Sequence, residues 1–216
     1  MKARRGLSLT DKIIILNIIF FVVFQLVFIM DQKAIDYFAL KPANIFQGKM
    51  IWTLFTSMFL HIYFGHLFVN MISLYFVGNF VEKLIGKKRL AVFYILSGLI
   101  ASMAFVLLSL IFKAEYNVYA VGASGAIFAL ASLLMIITPR LRVLVFFIIP
   151  MPLWAAMLVL LFGLWVISFL LHLPIGNTAH FGGFLVGVFY GSYLRFKYSK
   201  KVKILNMYLS RAGAYR

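Results

Sequence analysis

The segment GASGAIFAL, residues 122–130, places a serine between two glycines at the head of a long apolar run. Glycine has no side chain, so other groups can approach the backbone closely at Gly122 and Gly125. Ser124 has two interpretations. It either bonds back to a carbonyl one turn earlier, as serine in an apolar helix usually does, or it is a nucleophile. The rest of the chain bears on that choice.

The composition is that of an integral membrane protein. Of the 216 residues, 64% are hydrophobic and 12% are charged, whereas a soluble domain is roughly half apolar and about a quarter charged. A chain of this length predicts one domain, residues 1–216. The sequence has no cysteine, which excludes disulfides, thiol chemistry and cysteine metal ligands.

Apolar segments of about 20 residues predict membrane-spanning helices. Six such segments occur, at 12–30, 65–82, 90–112, 119–138, 153–171 and 178–196. The first is too long for the core of a signal peptide and has no small-residue cleavage site after it, so we expect it to be retained. The shorter piece 50–60 is typical of an interfacial or re-entrant segment. Prolines interrupt 142–152, which we predict to be an interfacial connector.

The positive charge is distributed unevenly about these spans. The net charge of +16 would suggest nucleic-acid binding in a soluble protein. With the N-terminus inside, however, 17 of the 21 Lys and Arg residues fall on one side of the membrane, as the positive-inside rule requires. We therefore expect a multi-pass protein of the cell membrane with both termini cytoplasmic and no nucleic-acid partner. Its basic tail, 197–216, would contact anionic lipid headgroups.

Polar side chains inside membrane spans are costly and mark candidate functional sites. Spans two, four and six all run inward from the outer side, and each carries polar residues near its start. These residues are His66 and Asn70, Ser124, and His180. His66 and Asn70 are four residues apart and so share one face of a helix. Four polar groups at similar depth on three helices of the same direction predict one small site.

The same residues also have structural interpretations. A lone histidine in a membrane span is more often a satisfied donor between helices, and Asn70 alone would join helices in the same way. Spans four and six carry small residues at four-residue spacing, namely Gly125, Ala129, Gly183, Gly187 and Gly191. Such residues form packing faces. Close packing there would also bring Ser124 near His180.

The cluster has the parts that acyl transfer needs. A serine hydroxyl requires a neighbouring base, usually histidine, and His180 is the candidate. Donors aimed at the oxyanion are available from the Ser124 N–H at a helix start and from His66 and Asn70. Gly122 can adopt positive φ and leaves room for a peptide backbone. None of the five acidic residues lies in the outer half of a span, so we expect a Ser-His dyad rather than a triad, with the Phe128 ring packed on the histidine.

Other chemistries fit the sequence less well. No span carries a central aspartate, which disfavours aspartyl proteolysis. His61 and His66 are five residues apart, not on one helix face, and no H-E-x-x-H motif occurs, so we predict no metal site and no cofactor. His61 and His172 lie at loop or span edges and are interpreted as structural, with His61 a weak candidate for the site.

Four segments follow one another across about 50–196: WTLFTSMFLHIYFGHLFVN, GNFVEKLIGKKRL, GASGAIFAL and AHFGGFLVG. In this order they resemble the rhomboid family of intramembrane serine proteases. The resemblance implies an all-α, six-transmembrane-helix bundle with the nucleophile Ser124 on the fourth helix and the base His180 on the sixth. It implies that His66, Asn70 and the Ser124 amide, with Gly122 beside them, stabilise the oxyanion. The loop 31–64 would be the family's membrane-embedded first loop, and Glu82 would be structural.

Two positions depart from the family pattern. Trp52-Thr53 stands where the family often has Trp-Arg, and Phe128 stands where it often has Tyr; neither change removes a catalytic group. The resemblance implies a serine endopeptidase, a hydrolase that cleaves single-pass transmembrane helices near the outer face through an acyl-enzyme.

Two alternatives remain open at this point. The first is a catalytically silent rhomboid-fold protein that binds transmembrane helices; against it, inactive relatives lack the serine or the histidine, and this chain has both. The second is a small transporter, which the apolar inner halves of spans two, four and six disfavour.

Overall fold

The computed structural model describes residues 6–145, 148–172 and 175–214. Its helices, in chain order, are α1 (Leu9–Met30), α2 (Ala34–Phe38), α3 (Pro42–Phe46), α4 (Thr53–Thr56), α5 (Phe64–Ile85), α6 (Lys87–Leu108), α7 (Ser124–Ile137), α8 (Leu153–Leu171), α9 (Asn177–Lys197) and α10 (Ser199–Arg211). A 3₁₀ turn, Lys113–Glu115, lies between α6 and α7. Strands β1 (Arg142–Val145) and β2 (Ile149–Pro152) pair antiparallel between α7 and α8.

Four of the described helices, α1, α5, α6 and α8, are long and apolar enough to cross a membrane. The chain is therefore a mostly helical, multi-pass membrane protein. The other two predicted spans correspond to α7 and α9. Helix α7 has only 14 residues, fewer than the roughly 20 that a bilayer requires. Helix α9 is not among the helices that are both long enough and apolar enough to cross a membrane. Length and composition alone thus leave the predicted count of six unconfirmed.

The structure corrects the predictions in three places. The span predicted at 119–138 begins as a helix only at Ser124. The connector predicted at 142–152 contains the paired strands β1 and β2, with 146–147 outside the described residues, so the all-α prediction becomes a mostly helical one. Pro150 and Pro152 lie in β2, and a two-stranded hairpin tolerates them because both of its strands are edges. The tail 197–216, predicted as a basic segment that contacts lipid headgroups, contains the helix α10, which was not predicted.

Helix α7 lies at the centre of the bundle. Ten of its 14 residues are buried, and α5, α6, α8 and α9 all contact it. Surrounded in this way, α7 exposes little surface to lipid. Its shortness is therefore compatible with a position inside a membrane-embedded bundle.

Helices α7 and α9 meet backbone to backbone. A Cβ added to Gly183 would lie 2.0 Å from the Gly125 carbonyl oxygen, and one added to Gly187 would lie 2.1 Å from the Ala129 carbonyl oxygen. No larger side chain fits at either glycine, which confirms the predicted small-residue packing. This contact fixes the two helices that carry Ser124 and His180.

Two further contacts organise the ends of the bundle. The Glu82 carboxylate, near the end of α5, accepts hydrogen bonds from the Leu9 and Thr10 N–H groups and from the Thr10 hydroxyl. It thereby anchors the start of α1 in the structural way that the resemblance implies. At the opposite end, Leu40 and Ala120 form an antiparallel bridge with N–H to O=C distances of 3.0 and 2.8 Å. That bridge ties the loop after α1 to the segment that leads into α7.

The Trp52-Thr53 departure falls inside this first loop, at the start of α4. Thr53 is fully buried, and its hydroxyl donates to the Met50 carbonyl at 2.7 Å. The Trp52 indole N–H donates to the Tyr37 carbonyl at 2.9 Å. The polar groups of both side chains are therefore satisfied by neutral hydrogen bonds to the backbone, without a charged residue at either position.

Candidate active site

Helix α7 begins at Ser124 because the chain turns sharply at Gly122. Gly122 has φ 114°, a conformation that side chains disfavour, and its N–H donates to the Ser57 carbonyl at 2.8 Å. A Cβ at this position would lie 2.7 Å from His66 Cε1. Only glycine therefore allows the His66 ring to lie against the backbone just before Ser124.

The structure brings Ser124 and His180 together. Ser124 Oγ lies 2.7 Å from His180 Nε2, within the range of a good O–H···N hydrogen bond. His180 is the fourth residue of α9 and is buried. Its Nδ1 has no hydrogen-bond partner among the described residues. A hydroxyl that donates to Nε2 requires the proton of the neutral imidazole to be on Nδ1, so the pair is arranged as a dyad without an orienting acid.

A ring stack takes the place of that acid in holding the imidazole. Phe128, one turn after Ser124, stacks on His180 with ring centroids 4.5 Å apart and an angle of 13° between the rings. The packing expected of Phe128 is confirmed. The stack restricts the plane of the imidazole, while the hydrogen bond to Ser124 restricts its rotation within that plane.

His66 and Asn70 stand on α5 beside this pair. His66 is half-buried, with its ring against Gly122. Asn70 is buried, and its amide nitrogen donates to the His66 carbonyl, one turn earlier in the same helix, at 2.8 Å. This bond lies within α5, whereas the structural interpretation of a lone asparagine expected a bond that joins two helices. A primary amide has two N–H groups, so one donor of Asn70 is left over. The Asn70 Oδ1 is buried without a partner in the part of the chain that the structure describes.

His61 lies closer to the site than its place at a loop edge indicated. It is fully buried, and its ring centroid is 5.0 Å from that of His66. Burial, reinforced by His66, lowers the pKa of His61 to about 3. The residue is therefore neutral and packs as a polar ring behind His66. No group of three or more His, Asp or Glu residues within the described ranges is arranged to hold a metal ion.

Sequence reasoning missed a contact at the start of α9. The Thr178 hydroxyl, two residues before His180, donates to Glu115 Oε2 at 2.5 Å. The N-cap of α9 is Gly176, which has no capping side chain, so the carboxylate of Glu115 occupies the position where a cap would act. Burial raises the pKa of Glu115. The one signal in the sequence was that Glu115 is the last acidic residue of the chain, in a loop next to the predicted site.

Comparisons with known proteins agree with this architecture. The family model described as Rhomboid domain matches residues 48–197. RHOMBOID-like protein 5 of Arabidopsis thaliana is 36% identical over 161 residues, which cover 71% of this chain and 47% of that protein. RHOMBOID-like protein 2 of the same plant is 37% identical over 150 residues, or 69% of this chain and 44% of that protein.

Two further relatives differ in what their names say. Rhomboid protease GluP of Bacillus subtilis is 34% identical over 97 residues, 45% of this chain and 18% of that protein. Inactive RHOMBOID-like protein 8 of Arabidopsis thaliana is 44% identical over 61 residues, 28% of this chain and 17% of that protein. The chain spans less than half the length of each of these four relatives.

Proposed function

This chain belongs to the rhomboid family, and from that premise we propose that it is an intramembrane serine endopeptidase. The observation that carries the proposal is the hydrogen bond between Ser124 and His180. Three other serines, which are buried, donate to backbone carbonyls instead: Ser97, Ser109 and Ser132. That arrangement is expected of a structural serine in an apolar helix. Ser124 differs because its hydroxyl meets a base.

The geometry supports a two-step acyl transfer. Ser124 Oγ attacks the carbonyl carbon of the scissile peptide bond while His180 Nε2 takes the hydroxyl proton. The oxyanion that forms would accept hydrogen bonds from the Ser124 N–H, the His66 side chain and the free N–H of Asn70. His180 then gives its proton to the leaving amine, and the C–N bond breaks to leave an acyl-enzyme. Water, deprotonated by His180, attacks the ester and restores Ser124.

The substrates that fit this site are single-pass transmembrane helices cut near the membrane face at which Ser124 lies. In this proposal residues 1–216 form one domain with six spans, of which α7 and α9 are the fourth and sixth. Both termini then lie on the basic side, which the positive-inside rule makes cytoplasmic, and the protein belongs to the cell membrane. The site needs no cofactor, since the side chains named above supply both proton transfer and charge stabilisation.

The second candidate is a catalytically silent rhomboid-fold protein that binds transmembrane helices. The observation that favours it is the likeness to a relative whose name says that it is inactive. Such a protein would keep the fold and its helix-binding surface without an activated serine. The two candidates therefore differ in the reactivity of Ser124.

Labelling with a fluorophosphonate probe distinguishes the two candidates, because the probe forms an adduct only with an activated serine. We expect the purified full chain to be labelled and the Ser124→Ala variant not to be. The His180→Ala variant should be labelled roughly 100- to 10,000-fold more slowly, the usual range for loss of a general base. Ser210→Ala, at an exposed position of α10, is the matched control and should be labelled like the wild type.

Two results would count against the proposal. A folded wild-type sample that takes up no probe would favour the helix-binding protein. Equal labelling of the wild type and the Ser124→Ala variant would place the reactivity at another residue.

A further inference from the structure

A groove of about 490 Å³ runs along the outside of the bundle between α6 and α9. One wall is formed by Val92, Leu96 and Ile100, which follow each other at four-residue intervals along α6. Val186 and Tyr190 of α9 form the other wall. None of the residues that line the groove belongs to the Ser124–His180 site, and the proposed catalytic mechanism does not use it.

The interior of the groove accepts hydrocarbon. Val92, Leu96 and Ile100 are each about half exposed, at 59%, 52% and 49%. Two further lining residues, Phe93 and Ser97, are buried, and the Ser97 hydroxyl is already bonded to the Tyr94 carbonyl. An open strip of apolar side chains would be filled by an apolar ligand.

The length of the groove matches one leaflet of a bilayer. Lys88 and Ile100, at its two ends, are twelve residues apart on α6, so the groove is about 18 Å long at ~1.5 Å per residue. The hydrocarbon of one leaflet is about 15 Å thick, half of the ~30 Å core. One extended acyl chain of that leaflet can therefore lie along the whole strip.

One end of the groove is basic. Lys88 and Arg89, both exposed, line it where α6 begins, and none of the five acidic residues of the chain lines it. Lys197, at the end of α9, is near enough for its charge to repel that of Arg89. Positive charges at the end of a groove that no acidic residue lines favour an anionic ligand there.

We propose that this groove binds one anionic phospholipid of the leaflet on the basic side. The phosphate lies between Lys88 and Arg89, where the guanidinium can pair with two phosphate oxygens. One acyl chain lies along the apolar strip from Val92 to Ile100. Basic pockets between transmembrane helices bind acidic headgroups in this way. The proposal depends on the membrane position of α6, not on the proposed protease activity.

Native mass spectrometry of the full chain in detergent tests the proposal, because it counts bound lipids one by one. Phosphatidylglycerol and phosphatidylcholine with the same acyl chains are added to the protein, and the wild type should retain one phosphatidylglycerol in preference. Each basic side chain near an anionic headgroup contributes about fivefold in affinity. The Lys88→Gln/Arg89→Gln variant should therefore bind phosphatidylglycerol roughly 30-fold more weakly.

Two further variants separate the parts of the site. Lys200→Gln/Lys203→Gln removes the same charge from exposed positions of α10 and should bind within about twofold of the wild type, since neither lysine lines the groove. Leu96→Trp fills the apolar strip from an exposed position and should weaken lipid retention while leaving the oligomeric state unchanged. Inorganic phosphate, which lacks the chain, should compete poorly.

Four outcomes would overturn the proposal. Equal retention of the two lipids would show that the headgroup charge is not recognised. Equal losses in the two double variants would show that charge acts without regard to position. Effective competition by inorganic phosphate would identify a site for a free anion. A dimer that Leu96→Trp abolishes would identify the groove as an interface between two copies of the chain.

Discussion

The imidazole of His180 is held from three directions. Ser124 fixes Nε2, the Phe128 ring covers one face, and the backbone position depends on the first turn of α9. Glu115 anchors that turn through the Thr178 hydroxyl. Glu115 touches neither of the atoms that react in the proposed mechanism, so its effect on Ser124 and His180 is one of position. Since a displacement of about 1 Å at a reacting group costs on the order of 100-fold in rate, such an anchor is consequential.

The charge and the hydrogen-bonding capacity of Glu115 can be separated by substitution. Burial raises the pKa of Glu115, so the folded protein binds this proton more tightly than the unfolded chain does. Its contribution to stability is greatest below the ordinary pKa and is lost as the pH rises through the folded-state pKa. Glu115→Gln keeps an acceptor for Thr178 without the charge. We expect it to be at least as stable as the wild type at neutral pH and to show less of this decline.

Glu115→Ala is the matched comparison for that prediction. It leaves the buried Thr178 hydroxyl without its acceptor, which should cost about 1–3 kcal/mol. Thermal unfolding in detergent at acidic and neutral pH measures both variants. If the two substitutions lowered the melting temperature equally, the hydrogen bond would not be what matters at this position.

At the scale of single residues, the sequence predicted the contacts that recurring spacings encode. Small residues facing each other on two spans predicted that Ser124 would lie near His180, and the four-residue spacing of His66 and Asn70 predicted that these two share one helix face. The contact between Glu115 and Thr178 was not predicted, because it joins residues 63 positions apart, and the position of Glu115 as the last acidic residue of the chain does not indicate its partner. A single hydrogen bond between a loop and the start of a distant helix leaves no periodic signal.

At the scale of elements, the interface between α7 and α9 determines the site. Gly183 follows His180 by less than one turn, and a Cβ there would lie 2.0 Å from the Gly125 carbonyl oxygen. Because that obstacle is backbone, a rotamer change cannot relieve it. The two helices would have to move apart.

Gly183→Ala should therefore separate Ser124 from His180. Overpacking of this kind typically costs about 1–3 kcal/mol, and we expect fluorophosphonate labelling to fall at least tenfold, given the sensitivity of reacting groups to small displacements. Gly163→Ala in α8 is the control, since a Cβ there meets nothing within 4 Å, and it should be labelled like the wild type. Full labelling of the Gly183→Ala variant would mean that the helices can separate without disturbing the dyad.

Local composition predicted the type of most elements but not all of their limits. Helix α7 starts at Ser124 rather than near residue 119 because Gly122 turns against His66, and hydropathy does not record such a turn. The strands β1 and β2 are short and apolar, and a broken end of a helix has the same composition. Their prolines argued against a helix but did not indicate that two strands pair. In α10, Val202, Leu205 and Leu209 face the rest of the protein. These apolar residues are interspersed among basic ones, so the overall charge of the tail did not indicate an amphipathic helix.

At the scale of the whole molecule, composition settled the class of protein, whereas the number of spans depends on packing. Hydropathy alone predicted six spans, and four of the described helices meet that measure in the structure. The remaining two, α7 and α9, pack against each other through small residues. A helix surrounded by protein does not need a fully apolar surface. An apolar count is therefore a weak guide to whether α7 and α9, the helices that carry Ser124 and His180, cross the membrane.

The proposed topology can be tested because the chain has no cysteine, so one introduced thiol is the only reactive one. Gln47, in the loop after α1, and Arg140, between α7 and β1, are both exposed. With six spans these positions lie on opposite sides of the membrane, because α5, α6 and α7 all cross between them. With four spans, in which α7 and α9 do not cross, both positions lie on the same side. In intact right-side-out vesicles, a membrane-impermeant maleimide should label Gln47→Cys, and it should label Arg140→Cys only after the vesicles are permeabilised. Labelling of both positions from outside would refute the six-span arrangement, and with it the convergence of α5, α7 and α9 on one face of the membrane.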